Sequence, residues 1–180
     1  GWGALGVTLV DSLDTLWLLG MHDEFYKGRD WVRDHLDYSN TGPVSVFETT
    51  IRDLGGLLSA YDLSGDQVFL DHALALGSQL IKAYDGSNTG IPFGQVDLRS
   101  GHASNIGWTG SNAIFSEFGT TQIENRYLSK MTGLAHFAQK TERVFDVLHE
   151  ISPANGLFPY YFRNVVRDSP QAKHLRNIKD

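Results

Sequence analysis

Apolar side chains recur at helical spacing along most of the chain, and the clearest run is residues 43–61, PVSVFETTIRDLGGLLSAY. Phe47, Ile51, Leu54, Leu58 and Tyr61 fall at i, i+4, i+7, i+11 and i+14, which predicts one helix with a continuous stripe turned to a core. Beside the stripe, Glu48 and Arg52 stand one turn apart, acid before base, the favourable order for such a pair. Gly55 and Gly56 follow. Glycines in a helix interior cost about 1 kcal/mol each relative to Ala, so they predict a close approach by another helix or a ligand. Ser45 and Glu48 also have the spacing of a capping box, and local physics alone reads the Glu48 carboxylate as a cap.

The other elements follow the same logic. A first helix is expected over residues 8–19, with Val10, Leu13 and Trp17 as its stripe and Gly20 as its stop. Asp11 and Asp14 share one face of it, either as favourable first-turn charge or as two acids aimed into a pocket. A second helix is expected over residues 23–36, and a fourth after the turn DLSGD, with Phe69, Ala73, Leu76 and Leu80 on one side. Residues 85–108 are rich in Gly, Ser and Asn and lack a helical period. A loop that long is usually functional or hides short elements, and strands are expected at 91–92 and 96–98. Helices over 111–131 and 134–151 precede NGLFPYYF, which reads as loop or strand.

An internal repeat runs through this order. Tyr61 and Tyr127, and likewise Gly90 and Gly156, are displaced by 66 residues. The unit is a helical hairpin followed by an irregular loop, and such units stack as an open solenoid or close as a toroid. Three hairpins do not close a toroid, so an open flank of apolar stripes is expected, beyond a normal surface patch.

Composition narrows the partners. With 15 Lys and Arg against 21 Asp and Glu in 180 residues, the net charge of -6 argues against nucleic acid as a main partner. No Cys is present, which excludes disulfides and Cys-bound zinc. The seven His show no metal-ligand spacing, and His22, His35, His72 and His149 read as surface groups. No apolar run reaches the ~20 residues of a membrane span. The N-terminal residues lack a Met and a basic n-region, so they are not an intact signal peptide, and the chain reads as a processed or excised piece.

Four motifs in order, GVTLVDSLDTLWLLGM, VSVFETTIRDLGGLLSAYDLSGD, GIPFGQVDL and SEFGTTQIENRYLSKMTG, resemble the first part of a class I α-1,2-mannosidase of glycoside hydrolase family 47. The resemblance covers residues 3–159. It implies an all-α fold, a partial α/α toroid of consecutive hairpins out of seven, with short β-like loop segments. It also implies calcium-dependent inverting hydrolysis of α-1,2-linked mannose on high-mannose N-glycans, in the endoplasmic reticulum or Golgi lumen or secreted.

Carried over by motif, Glu48 is the general acid, Arg52 holds it and touches sugar hydroxyls, Glu117 binds the mannose ring, and one of Asp11 and Asp14 faces the cavity. Glu124 is expected to pair with Arg126 or a neighbouring helix, and Asn125 stands where the family's motif has Phe, a lost core anchor. The general base and the calcium ligand belong to a C-terminal half outside this chain, so no calcium ligand is assigned and the chain alone is expected to be inactive. Residues 1–162 read as the N-terminal part of the catalytic domain and 163–180 as a divergent basic tail or linker. The rival readings are a mannosidase-like lectin of glycoprotein quality control and a helical-repeat scaffold without sugar chemistry.

Overall fold

A computed structural model describes residues 5–164. The stretch expected to form one first helix forms two, α1 (Val7–Val10) and α2 (Leu13–Leu18), joined by a turn at Asp11 and Ser12. The Ser12 hydroxyl donates to the Leu9 carbonyl at 2.8 Å, the local side-chain bond that competes with helix continuation. Helix α3 (His22–His35) follows, burying Phe25, Gly28 and Val32 and carrying its charged side chains outward.

Strand β1 (Pro43–Ser45) runs directly into α4 (Val46–Thr49), a π-helical turn (Thr50–Leu54) and α5 (Gly55–Ser64). The wider π turn breaks the helical register read from the sequence. Phe47, Ile51 and Tyr61 are therefore only partly buried, whereas Thr49, Thr50 and Asp53 are buried together with Leu54, Leu57 and Leu58. The bare patch is a helix crossing: a Cβ on Gly56 would stand 2.7 Å from the Val10 carbonyl oxygen. Gly65, in the left-handed region at φ 70°, ends α5, and Asp66 caps α6 (Gln67–Leu80) by accepting from the Val68 amide at 3.1 Å.

The long loop contains β2 (Gln95–Asp97) and β3 (Ala103–Ser104), which form a three-stranded antiparallel sheet in the order β1-β2-β3, with Val44 opposite Val96. Residues 91–92 are buried but not a strand; the Asn164 side-chain amide donates to the Ile91 carbonyl at 3.1 Å. The fifth predicted helix is also divided. Strand β4 (Ala113–Ile114) and α7 (Phe115–Phe118) come first, the chain breaks at residues 119–121, and α8 (Gln122–Thr132) starts afresh. Helix α9 (His136–Glu150) precedes β5 (Tyr161–Phe162), which pairs with β4.

The sequence repeat thus has a structural counterpart. Each unit leads from a short strand through a helical hairpin to a strand that pairs back on the first, and Gly90 and Gly156 are left-handed at φ 83° and 72°. Phe25, Leu54, Leu57, Phe69, Leu76, Leu128 and Phe137 are buried in one core, while Leu18, Ile123 and Leu157 are more than 70% exposed. Asn125 is buried, its amide donating to the Thr121 carbonyl at 2.8 Å while its Oδ1 has no partner. His72 is half-buried rather than a surface group, and burial lowers its pKa. Among the described residues no helix is long and apolar enough to cross a membrane. Of residues 163–180 only Arg163 and Asn164 lie within the described part; the tail or linker beyond them lies outside it.

Candidate functional site

Glu48 is the third residue of α4. Its amide donates to the Ser45 hydroxyl at 3.2 Å, the first half of a capping box. The second half is not made: the carboxylate turns forward, and its Oε2 accepts from Arg52 Nε at 2.6 Å. Arg52 Nη1 lies 3.4 Å from Asp11 Oδ2, so the turn between α1 and α2 brings a second carboxylate onto the same guanidinium. The hydrogen bond that Arg52 donates to Glu48, the charge of Glu48 and that of Asp11 hold the Arg52 guanidinium above its ordinary range. Gly6, Val7, Thr8, Asp11, Thr15 and Arg52 line an open hollow beside this cluster.

Asp14 goes elsewhere. Its Oδ2 accepts from the Ser59 hydroxyl at 3.0 Å, a tie between α2 and α5. Of the two acids that share a face in sequence, only Asp11 reaches Arg52.

Glu117 is the third residue of α7, again directly after a strand. It is half-buried, and its pKa is raised first by burial and then by the charge of Glu48. Glu117 therefore feels the charge of Glu48 although the two lie on different repeats. Gly94 separates the Glu117 side chain from the loop: a Cβ there would stand 3.6 Å from both Glu117 Oε2 and Asn105 Oδ1, and its amide donates to Asn105 Oδ1 at 2.8 Å. Val46, Phe47, Phe93, Ile114 and Glu117 are among the residues lining a small, mostly apolar pocket.

Of two further acids, sequence reasoning left the neighbour of one open and missed the other. Glu124 does not pair with Arg126, whose Nε lies 2.9 Å from Glu142 Oε1 instead. Glu124 comes from α8 onto Gly55, its Cγ 3.7 Å from where a Cβ would be; its Oε2 is buried without a partner, and burial raises its pKa. The glycine and the acid were each visible in the sequence, but not their meeting. Asp53 lies beside Arg52 in the chain yet is only 1% exposed. No periodic signal marks it, because the π turn is what carries it inward.

The sequence model of glycosyl hydrolase family 47 matches residues 1–177. The chain belongs to that family. This family 47 segment is 46% identical over 160 residues to the mannosyl-oligosaccharide 1,2-alpha-mannosidase MNS1 of Arabidopsis thaliana, covering 88% of this chain and 28% of the relative. It is 42% identical over 161 residues to the endoplasmic reticulum mannosyl-oligosaccharide 1,2-alpha-mannosidase of Rattus norvegicus, covering 89% and 24%. Its fold matches the solved alpha-1,2-mannosidase from Trichoderma reesei with a TM-score of 0.73 at 29% identity, over 94% of this chain and 38% of that one. The segment thus spans about a quarter of the length of these curated relatives. Among the described residues no three His, Cys, Asp or Glu side chains gather to hold a metal ion, so the side chains present do not fit the calcium that the family resemblance implies.

Proposed function

We propose that this segment forms part of an inverting glycosidase that removes α-1,2-linked mannose from high-mannose N-glycans, with Glu48 as the proton donor to the leaving oxygen. The observation that carries the reading is the orientation of Glu48: its carboxylate leaves its own helix start for Arg52 and acts electrostatically on Glu117 across the repeats. A capping role alone requires neither. Arg52 fixes the rotamer of the donor and offers its remaining N–H groups to sugar hydroxyls. Asp11 and Glu117 accept from hydroxyls on either side, and Asp14 keeps α2 in place behind Asp11 through Ser59.

Inversion requires a second carboxylate on the opposite face, about 6.5–9.5 Å from the donor, to activate water. That base and the calcium ligands lie in the further hairpins of the α/α toroid, of which residues 1–162 form the first part. The segment alone binds glycan weakly and releases no mannose. The setting proposed is the secretory pathway, in the lumen of the endoplasmic reticulum or Golgi or after secretion; the name of the rat relative is in line with the first of these.

The test is Glu48→Gln in the longer protein that carries this segment, read by mannose release from a high-mannose glycan and by glycan binding. Loss of release with binding retained supports the proton-donor role. A parent protein that binds but never releases mannose favours the lectin, and one that does neither favours the scaffold.

A further inference from the structure

Glu48 and Glu117 stand in different repeats, and the backbone between them passes through Gly94. The Gly94 carbonyl accepts from the amide of Val46, the first residue of α4, at 2.9 Å. Glu48 follows two residues later. On its other side the Gly94 amide donates to Asn105 Oδ1 at 2.8 Å, and a Cβ on Gly94 would stand 3.6 Å from Glu117 Oε2. Val46, Gly94 and Glu117 line one small pocket.

Asn105 is held in turn. Its Nδ2 donates to the Ser111 carbonyl at 2.8 Å and to Asn164 Oδ1. The carboxamide oxygen thus faces an N–H and the nitrogen faces acceptors, which fixes the way the group points. Asn164, only 2% exposed, follows β5 and donates from its own Nδ2 to the Ile91 carbonyl at 3.1 Å and to that of Pro92. Both asparagines sit in irregular segments, where no backbone ladder holds the chain and side-chain amides take over the pairing. Together they tie the segment entering β2, in the first repeat, to residues flanking β4 and β5 in the second. Such a network is costly to break, because each bond lost leaves another buried polar group without its partner.

We propose that Asn105 is a positioning residue for the glycan site: its carboxamide, clamped by Ser111 and Asn164, holds the Gly94 peptide between the start of α4 and Glu117 and so sets the spacing of the two acids. Its role rests on the reading of Glu48 and Glu117 as the acids that meet the glycan. The charge of Glu48 reaches Glu117, in keeping with that spacing.

The test is made in the longer protein that carries this segment, and its first arm needs no glycan. Amide hydrogen exchange is followed at Gly94 and Val46 in the parent, in Asn105→Ala and in Thr109→Val. Thr109 braces the same loop, its hydroxyl lying 2.8 Å from both the Ile106 and the Asn112 carbonyl oxygens, and it bonds to neither Gly94 nor Asn164. Exchange at both amides is expected to be about tenfold faster in Asn105→Ala, the size of one lost hydrogen bond, and close to the parent in Thr109→Val. In the second arm, KM for a high-mannose glycan, or Kd where the parent binds without turnover, is expected to rise on the order of 10–10²-fold in Asn105→Ala, with kcat changed less. Thr109→Val should leave it near the parent value.

Unchanged exchange at Val46, an unchanged KM or Kd, or equal effects of the two variants overturns the proposal. Full turnover in Glu48→Gln removes the proton-donor reading and leaves this result standing, since neither arm depends on which acid gives the proton. If Asn105→Ala does not fold, the parent decides: a Gly94 amide that exchanges as fast as an unbonded one overturns the proposal, and one protected together with Val46 supports it.

Discussion

Glu48 and Glu117 occupy the same place in two successive repeats, each the third residue of a helix that starts where a short strand ends. Their surroundings differ in what stands four residues on. After Glu48 that position is Arg52, and the helix runs on through the π turn to carry it. After Glu117 it is Thr121, which is buried and bonded to the Tyr84 hydroxyl at 2.9 Å, and the helix has already stopped. One carboxylate is therefore held by a cation at the surface, and the other is half-buried without one and is raised by burial and by its counterpart. Equal backbone placement gives two acids with different chemistry, because the partner of a helical side chain is set by the next turn.

Several substitutions break or sharpen this contrast. The largest expected effect is that of Glu48→Gln on mannose release by the longer protein, a loss on the order of 10²–10⁴-fold in turnover, as for removal of a general acid. Glu117→Gln is expected to act mainly on KM, since Glu117 is assigned to ring binding; an equal loss of turnover would show that the two acids share the donor role.

The remaining expectations concern stability and are measured by chemical denaturation of this chain. Phe137→Ala should cost about 3–5 kcal/mol, since Phe137 is fully buried between α9 and its neighbours and leaves a cavity. Gly56→Ala should cost about 1–3 kcal/mol, because the new methyl group meets the Val10 backbone and not a flexible side-chain tip. A Gly56→Ala chain as stable as the parent would remove the close crossing of α1 and α5. Ser45→Ala removes the side-chain cap of α4 and should cost about 1 kcal/mol. The matching Ile114→Ala tests no cap, since Ile114 makes no capping bond to α7.

Much of this was legible in the sequence. The repeat, the α5–α6 and α8–α9 hairpins and the glycine-mediated crossing follow from apolar period and from residues whose conformational needs are strong. The pairing of Glu48 with Arg52 was legible too, since neighbouring turns of one helix impose it. The breaks at residues 11–12 and 119–121 were not, because Ser and Thr bond locally to backbone in ways that a hydrophobic period does not register. For Glu124 only the second of the two expected neighbours holds: it meets Gly55 on another helix, and sequence proximity to Arg126 was no guide.

The sequence by itself determined which segments are amphipathic, how they repeat, which family they belong to and which acid stands one turn from an arginine. Only the tertiary structure decided that Asp11 and not Asp14 reaches Arg52, that Glu117 feels the charge of Glu48, and that Asp53 is turned inward. Periodicity reports the average face of an element. A carboxyl group's partners and protonation depend on distances of a few ångströms between elements remote in the chain, and on one extra residue in a helical turn.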